Sequence, residues 1–164
     1  MPETPADRPP APRPHTVEQV READLDALLP LVRAYCDFYA TSPSEGALRA
    51  LSLALIAEPQ LEGFQLLARD ATGRAIGFAS VFWSWDTTDG GRIGIMNDLY
   101  VAPEARGSGI AELLISGCRD RCSARGALRL EWMTGPENGR AQALYARVGG
   151  VREPWLVYTL AAGR

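Results

Sequence analysis

The run Leu99-Tyr100-Val101-Ala102-Pro103-Glu104-Ala105-Arg106-Gly107-Ser108-Gly109-Ile110-Ala111 leaves this chain few folds to choose from. It joins an apolar strand to an amphipathic helix through an Arg-Gly-x-Gly turn, the connection of a layered α/β domain. Two glycines without Cβ let the backbone bend there and come close to a ligand. The first N–H groups of the following helix have no acceptor within it and lie at its positive end, which suits an anion such as a diphosphate. Ile110, Leu113, Leu114, Cys118 and Cys122 recur at three- and four-residue spacing, so the helix is expected to lay one apolar stripe on a sheet.

Two other phosphate loops are excluded. A Walker loop ends in Gly-Lys-Ser/Thr, and the chain contains no lysine; a dinucleotide fingerprint would need glycine where Glu112 stands. What remains is Arg/Gln-x-x-Gly-x-Gly/Ala, met by Arg106, Gly109 and Ala111 after a strand ending Asp-Leu-Tyr-Val-Ala-Pro. This resembles the coenzyme A motif of the GNAT superfamily of acetyl-CoA-dependent N-acetyltransferases. Downstream, the run from Asn138 through Ala141, Leu144 and Tyr145 to Gly149 is similar to that superfamily's Asn-x-x-Ala-x-x-Leu-Tyr-x-x-x-Gly segment. Two motifs in the right order, separated by a helix and a strand, are more specific than either alone. The resemblance covers residues 15 to 160. The run from Gly77 to Trp85, the Trp85-Asp86 pair and the run from Met96 to Val101 look most like the diamine and thialysine acetyltransferase branch, with one departure: Asn97 stands where that branch has a glutamate.

Composition agrees with one enzyme domain over residues 15–164. With 46% apolar residues in 164, the chain can bury a core. A net charge of −3 argues against nucleic-acid binding and is compatible with attracting a cationic amine. Three cysteines without framework spacing suggest a reducing cytoplasm and no disulfide. Residues 1–14 hold six prolines and no apolar core, so they are expected to be a disordered tail rather than a signal peptide. No apolar stretch reaches the ~20 residues that cross a bilayer, so no membrane partner is expected.

The patterns predict a β-α-α-β-β-β-α-β-α-β order. Strands are expected at 16–20, 63–69, 75–85, 92–101, 127–134 and 155–160, and helices over 22–40, 43–58, 109–124 and 139–148. Pro30 should kink the first helix or mark its start. In Ser42-Pro43-Ser44-Glu45, Ser42 is expected as the N-cap of the second helix, with Pro43 at its first position and Glu45 as the reciprocal glutamate at its third. The fold class that follows is α/β (α+β), a GNAT-like mixed, mostly antiparallel sheet of six or seven strands with helices on both faces.

Acetyl transfer to an amine requires holding the cosubstrate, stabilising an oxyanion and moving two protons. The resemblance implies that Arg106, Gly107, Ser108, Gly109, Ile110 and Ala111 cradle the diphosphate of acetyl-CoA. It likewise implies that the main chain of Leu99, Tyr100 and Val101 takes the pantetheine arm where two strands splay, and that Asn138 bonds the arm, although asparagine there is also an ordinary helix cap. Tyr145 is the candidate general acid, because a phenol with a pKa of about 10 can reprotonate a thiolate; its plainer role is packing a helix. The base is open among Asp98, Glu131 and a water chain, since Asn97 cannot take a proton. Strand alternation sets Asn97 and Asp98 on opposite faces, and Glu131 could equally pair with Arg129.

Tyr35, Phe38 and Tyr39 on the first helix, with Trp83 and Trp85 sharing one strand face, would form an aromatic slot for a cationic amine if they met, with Asn97 beside it. Phe38 and Trp83 could also be plain core. The donors offered suggest no metal site. The expected reaction is direct transfer from acetyl-CoA, in a ternary complex, to a small-molecule primary amine (a polyamine or diamine, or an amino-acid-like amine) or to a lysine side chain. The alternatives are a noncatalytic acyl-CoA-binding sensor and an acyltransferase with a different donor or acceptor. The apolar final strand at 155–160 and the family habit suggest a homodimer.

Overall fold

Strand β1 (His15–Gln19) opens the computed structural model, which describes residues 15–163; the expected tail at 1–14 lies outside the described residues. A 3-10 turn at Glu22–Asp24 leads into α1 (Leu25–Phe38), and α2 (Glu45–Ala57) follows. Then come β2 (Gly63–Asp70), β3 (Ala75–Asp86), β4 (Gly91–Val101), α3 (Ile110–Ala124), β5 (Leu130–Glu131) and α4 (Gly139–Arg147). The five strands form one sheet in sequence order, antiparallel except for the parallel β4–β5 pair. The chain divides between Met133 and Thr134 into two compact units, the first holding the sheet and α1–α3 and the second holding α4.

Local chemistry accounts for the boundaries. Ser44 rather than the expected Ser42 caps α2: its Oγ accepts the Ala47 N–H at 3.1 Å, so the helix starts at Glu45, two residues later than expected. Gly73 and Gly90, both at positive φ, turn the two hairpins. Helix α1 runs through Pro30 rather than starting there. The ring removes only the hydrogen bond to the carbonyl of Asp26, in the exposed first turn, where water can replace it.

The sheet is covered on both sides. Leu25, Leu28, Leu29 and Val32 of α1 form a core with Leu67 and Phe78. On the opposite face α3 buries Ile110, Leu114, Ile115, Cys118 and Cys122, so Ile115 rather than Leu113 completes its stripe. Gly77 and Gly94 bring α3 close: a Cβ at Gly77 would lie 3.3 Å from Ile110, and one at Gly94 would lie 2.5 Å from the Cys122 sulfur. Burial pushes the Cys122 thiol up to about 11 and the Cys118 thiol higher still, so both are inert core groups.

The mixed, mostly antiparallel α/β class is as expected, but among the described residues the sheet has five strands, not six or seven. Residues 155–160 form no strand: Trp155, Leu156, Val157, Tyr158 and Leu160 are 65–97% exposed. Apolar β-formers need a neighbouring strand edge for their backbone groups, and no such pairing occurs here among the described residues. The strand expected at 127–134 shrinks to β5: its ladder with β4 comprises Gly94↔Leu130 and Ile95↔Glu131, preceded by a bond from Leu128 N–H to Arg92 O at 2.8 Å.

Candidate acetyl-transfer site

After β4, a 3-10 turn at Pro103–Ala105 leads to Arg106 in extended conformation, then to Gly107 at φ +80° and Gly109 at φ +84°. A Cβ on either glycine would meet nothing within 4 Å, so glycine is required here by backbone conformation rather than by crowding, and the space before the turn is open. The α3 ladder begins with the Leu113 N–H donating to Gly109 O at 3.1 Å, and the amides of Gly109, Ile110 and Ala111 lie ahead of it without an intrahelical acceptor. Two side chains brace the turn from behind. Arg106 Nε donates to Val101 O at 3.0 Å, and Ser108 Oγ donates to Ala105 O at 2.5 Å. Amides without an intrahelical acceptor at a helix N-terminus, with open space beside the two glycines, fit a diphosphate, and the residues that would hold it are Arg106 to Ala111.

Beside this turn, β4 and β5 part company. Their pairing stops at Ile95↔Glu131, while Leu99, Tyr100 and Val101 remain paired to Ala79, Phe78 and Gly77 of β3 on the other side. Among the described residues, that stretch of β4 has no strand on its β5 edge, the open edge the sequence leads one to expect.

A β-bulge then overturns the alternation argument. Ser80 pairs with Asp98 and Val81 with Met96, so Asn97 is an extra residue in β4. Asn97 and Asp98 therefore lie side by side instead of on opposite faces, and Asn97 Nδ2 donates to Asp98 Oδ1 at 3.2 Å. The hydroxyl of Tyr35 on α1 lies 3.3 Å from Asn97 O and beside the Asp98 carboxyl, with one proton to share between these two acceptors. Burial raises the Asp98 pKa above the ordinary carboxyl value, and the hydrogen bonds from Ser80, Asn97 and Tyr35 oppose that rise. The Tyr35 phenol is pushed far up by its own burial and by Asp98 and Tyr39, which keeps it a neutral donor.

Glu131 is differently placed. Arg129 donates from Nε to Glu131 Oε1 at 2.6 Å, from Nη1 to Asp89 at 2.6 Å and from Nη2 to Asp86. Hydrogen bonds from Thr88 and Arg129 hold the Asp86 carboxyl well below the usual carboxylate range. Glu131 thus serves as an ion-pair partner, the plainer role open to it.

The aromatic slot is only half assembled. Tyr35 and Tyr39 stack edge-on at 5.0 Å, Phe38 lies 5.1 Å from Tyr39, and Tyr35 reaches Tyr100 at 6.3 Å, all on the α1 side of the sheet. Trp83 and Trp85 are on the α3 side, because Trp83 pairs with Gly94, whose missing side chain faces Cys122. Trp83 is anchored there by donating Nε1–H to Pro59 O at 2.9 Å, beneath the Arg125 guanidinium at 5.4 Å. Trp85 stacks with Arg92 at 5.0 Å. The tryptophans therefore do not join Tyr35, Tyr39 and Asn97, because alternation correctly pairs the two tryptophans but does not say which helix covers them.

In the second unit, Asn138 Oδ1 accepts the Ala141 N–H at 3.2 Å and caps α4. At the far end Gly150 N–H donates to Tyr145 O at 2.8 Å and Gly149 N–H to Ala146 O at 3.1 Å, a Schellman motif that explains the Gly149-Gly150 pair. Sequence reasoning missed Ser80, whose bond to Asp98 depends on a cross-strand register that a bulge shifts. Among the described residues no group of three or more His, Cys, Asp or Glu side chains could hold a metal ion, and no helix is long and apolar enough to cross a membrane.

The sequence matches the model of the acetyltransferase (GNAT) family over residues 29–150. The chain is 31% identical over 136 residues to the N-acetyltransferase YhfO of Bacillus subtilis, covering 81% of this chain and 87% of that one. It is 34% identical over 137 residues to the D-amino-acid N-acetyltransferase HPA3 of Saccharomyces cerevisiae, covering 80% and 82%. The crystal structure of a probable acetyltransferase superimposes with a TM-score of 0.80 at 26% identity, covering 91% of this chain and 99% of that one. The aminoglycoside acetyltransferase AAC(6')-Iy, in complex with a CoA-containing bisubstrate analogue, shares the fold at a TM-score of 0.77 and 20% identity, over 91% and 99%. This chain therefore belongs to the acetyltransferase (GNAT) family and is an N-acetyltransferase.

Proposed function

We propose that this enzyme moves an acetyl group from acetyl-CoA to a primary amine by direct attack in a ternary complex, with Asp98 as the base. The carrying observation is the placement of Asp98, next to the open edge of β4 and touched only by neutral donors, whereas Glu131 is held by Arg129. When bound, acetyl-CoA supplies an acetyl group activated as a thioester. The Arg106–Ala111 turn grips its diphosphate, and the open edge at Leu99–Val101 offers amides to the arm and to the carbonyl oxygen, where negative charge builds. Asp98 accepts the proton that the amine must lose. Tyr145 returns a proton to the departing sulfur; its assignment rests on the Asn138–Gly149 sequence pattern and on phenol chemistry. Tyr35 and Tyr39 wall the acceptor side.

The acceptor class favoured is the amine of a small amino acid, in keeping with the yeast relative, ahead of a diamine or a protein lysine. The reading includes a single domain over 15–164, a cytoplasmic setting for three free thiols, and a homodimer, favoured by the exposed apolar stretch from Trp155 to Leu160. Thiol release from acetyl-CoA, measured against D- and L-amino acids, diamines and a lysine peptide, tests it. Turnover is expected with at least one free amino acid. Coenzyme A binding without turnover on any amine would overturn catalysis in favour of a sensor module.

A further inference from the structure

We propose that Gln65 and Ser80 are positioning residues for Asp98, with the Gln65 amide fixing the direction of the Ser80 hydroxyl so that its one proton points at the Asp98 carboxylate. This deepens the reading in which Asp98 is the base and rests on it for its catalytic meaning.

Gln65, Ser80 and Asp98 are direct cross-strand neighbours on β2, β3 and β4, a polar row across the α1 side of the sheet. The next row is Leu67, Phe78 and Tyr100, apolar apart from one phenol oxygen, so the three polar residues are not part of a solvated face. Ser80 is fully buried and Gln65 is 3% exposed. Gln65 Nε2 donates to Ser80 Oγ at 3.0 Å. Gln65 Oε1 is buried without a partner. Ser80 in turn lies directly across from Asp98, close enough for its hydroxyl to act on the carboxyl.

Proton accounting sets the direction. A serine hydroxyl has one proton and can also accept. If Gln65 presented its oxygen, Ser80 would spend that proton on the amide and Asp98 would lose a donor. With the NH₂ presented, Ser80 accepts from Gln65 and donates to Asp98, and the unpartnered Oε1 is what that arrangement leaves over. Gln65 therefore acts on Asp98 through Ser80, from two strands away. The groups facing Asp98 are Tyr35 from α1, Ser80 from β3 and Asn97 from β4, with Tyr39 and Tyr100 packed against Tyr35 behind it. Glu131 of β5, engaged by Arg129, supplies no free charge to this row.

The test reads the Asp98 titration directly, by ¹³C NMR of carboxyl-labelled aspartate in the folded chain without ligand. The Asp98 signal is the one lost in Asp98→Asn. In Ser80→Ala the midpoint should rise by about half a pH unit or more, because the ionised carboxylate loses a donor. Gln65→Met should shift it in the same direction, and the double variant no further than Ser80→Ala alone, since one acts through the other. A midpoint unmoved in Gln65→Met, or additive shifts in the double variant, would overturn the inference. Should Gln65→Met fail to fold, Gln65→Leu takes its place, and an unmoved midpoint in Ser80→Ala overturns the inference on its own. Full turnover in Asp98→Asn would sink the base assignment instead, a result that the NMR readout does not depend on.

Discussion

Replacing Gly109 with alanine separates the turn's conformational need from its role in binding. Gly109 sits at φ +84°, where a Cβ costs about 1 kcal/mol, and nothing lies within 4 Å to add a clash. For a domain of this size that corresponds to a fall in Tm of roughly 2–4 °C. The same methyl projects into the open space before the amides of Gly109 to Ala111. If those amides grip a diphosphate, losing one charge-assisted hydrogen bond removes about 1.5–3 kcal/mol, or roughly 10- to 100-fold in coenzyme A affinity.

The fold supplies its own control. Gly90, at φ +68° with the same empty surroundings, turns the β3–β4 hairpin at the opposite end of β4 from the turn. Gly90→Ala should show the same small loss of Tm with unchanged coenzyme A binding by calorimetry. Equal melting losses with equal, undiminished affinity in both variants would refute the cradle and leave Gly109 a turn former only.

Asp98→Asn should lower kcat by roughly 10²- to 10⁴-fold, the usual contribution of a positioned base, with coenzyme A binding retained. The same variant should melt higher than the parent at neutral pH. A carboxyl whose folded pKa lies above its unfolded value of 3.8 opposes folding once ionised, so the gain should shrink as pH falls toward that value; a gap that widens on acidification would contradict the burial argument. Trp85→Ala should leave acetyl transfer unchanged while Tyr39→Ala raises KM for the amine, because only the tyrosine shares a face with Asp98; steady-state kinetics with the reverse ranking would restore the tryptophan slot. Paired Trp155→Ser and Tyr158→Ser changes should convert a dimer into a monomer by light scattering, and a parent chain already monomeric at working concentration would remove the dimer.

The site was legible in sequence where the information is local. The Arg106–Gly109 turn and the asparagine before α4 each depend on residues within a few positions, and their dihedrals and hydrogen bonds follow the pattern of the side chains. Legibility failed where one residue changes the register for everything beyond it. Because Asn97 is an extra residue in β4, a period-two count through it sends Asp98 to the wrong face, and the bulge is visible only once β3 is paired alongside. The tryptophans expose the complementary weakness. Counting along β3 correctly put Trp83 and Trp85 together, yet which side carries α1 and which α3 is settled by Gly77 and Gly94, whose missing side chains let α3 approach. The bulge and those two glycines together set apart a structural aromatic cluster under α3 and a polar row under α1. Deleting Asn97 should therefore keep Asp98 on the α1 side, because Met96 and Asp98 then follow one another opposite Val81 and Ser80 in plain alternation. The deletion should cost no more catalysis than Asn97→Ala, since both remove the hydrogen bond from Asn97 to Asp98, and inactivation by the deletion alone in steady-state kinetics would refute the bulge as the reason Asp98 faces α1.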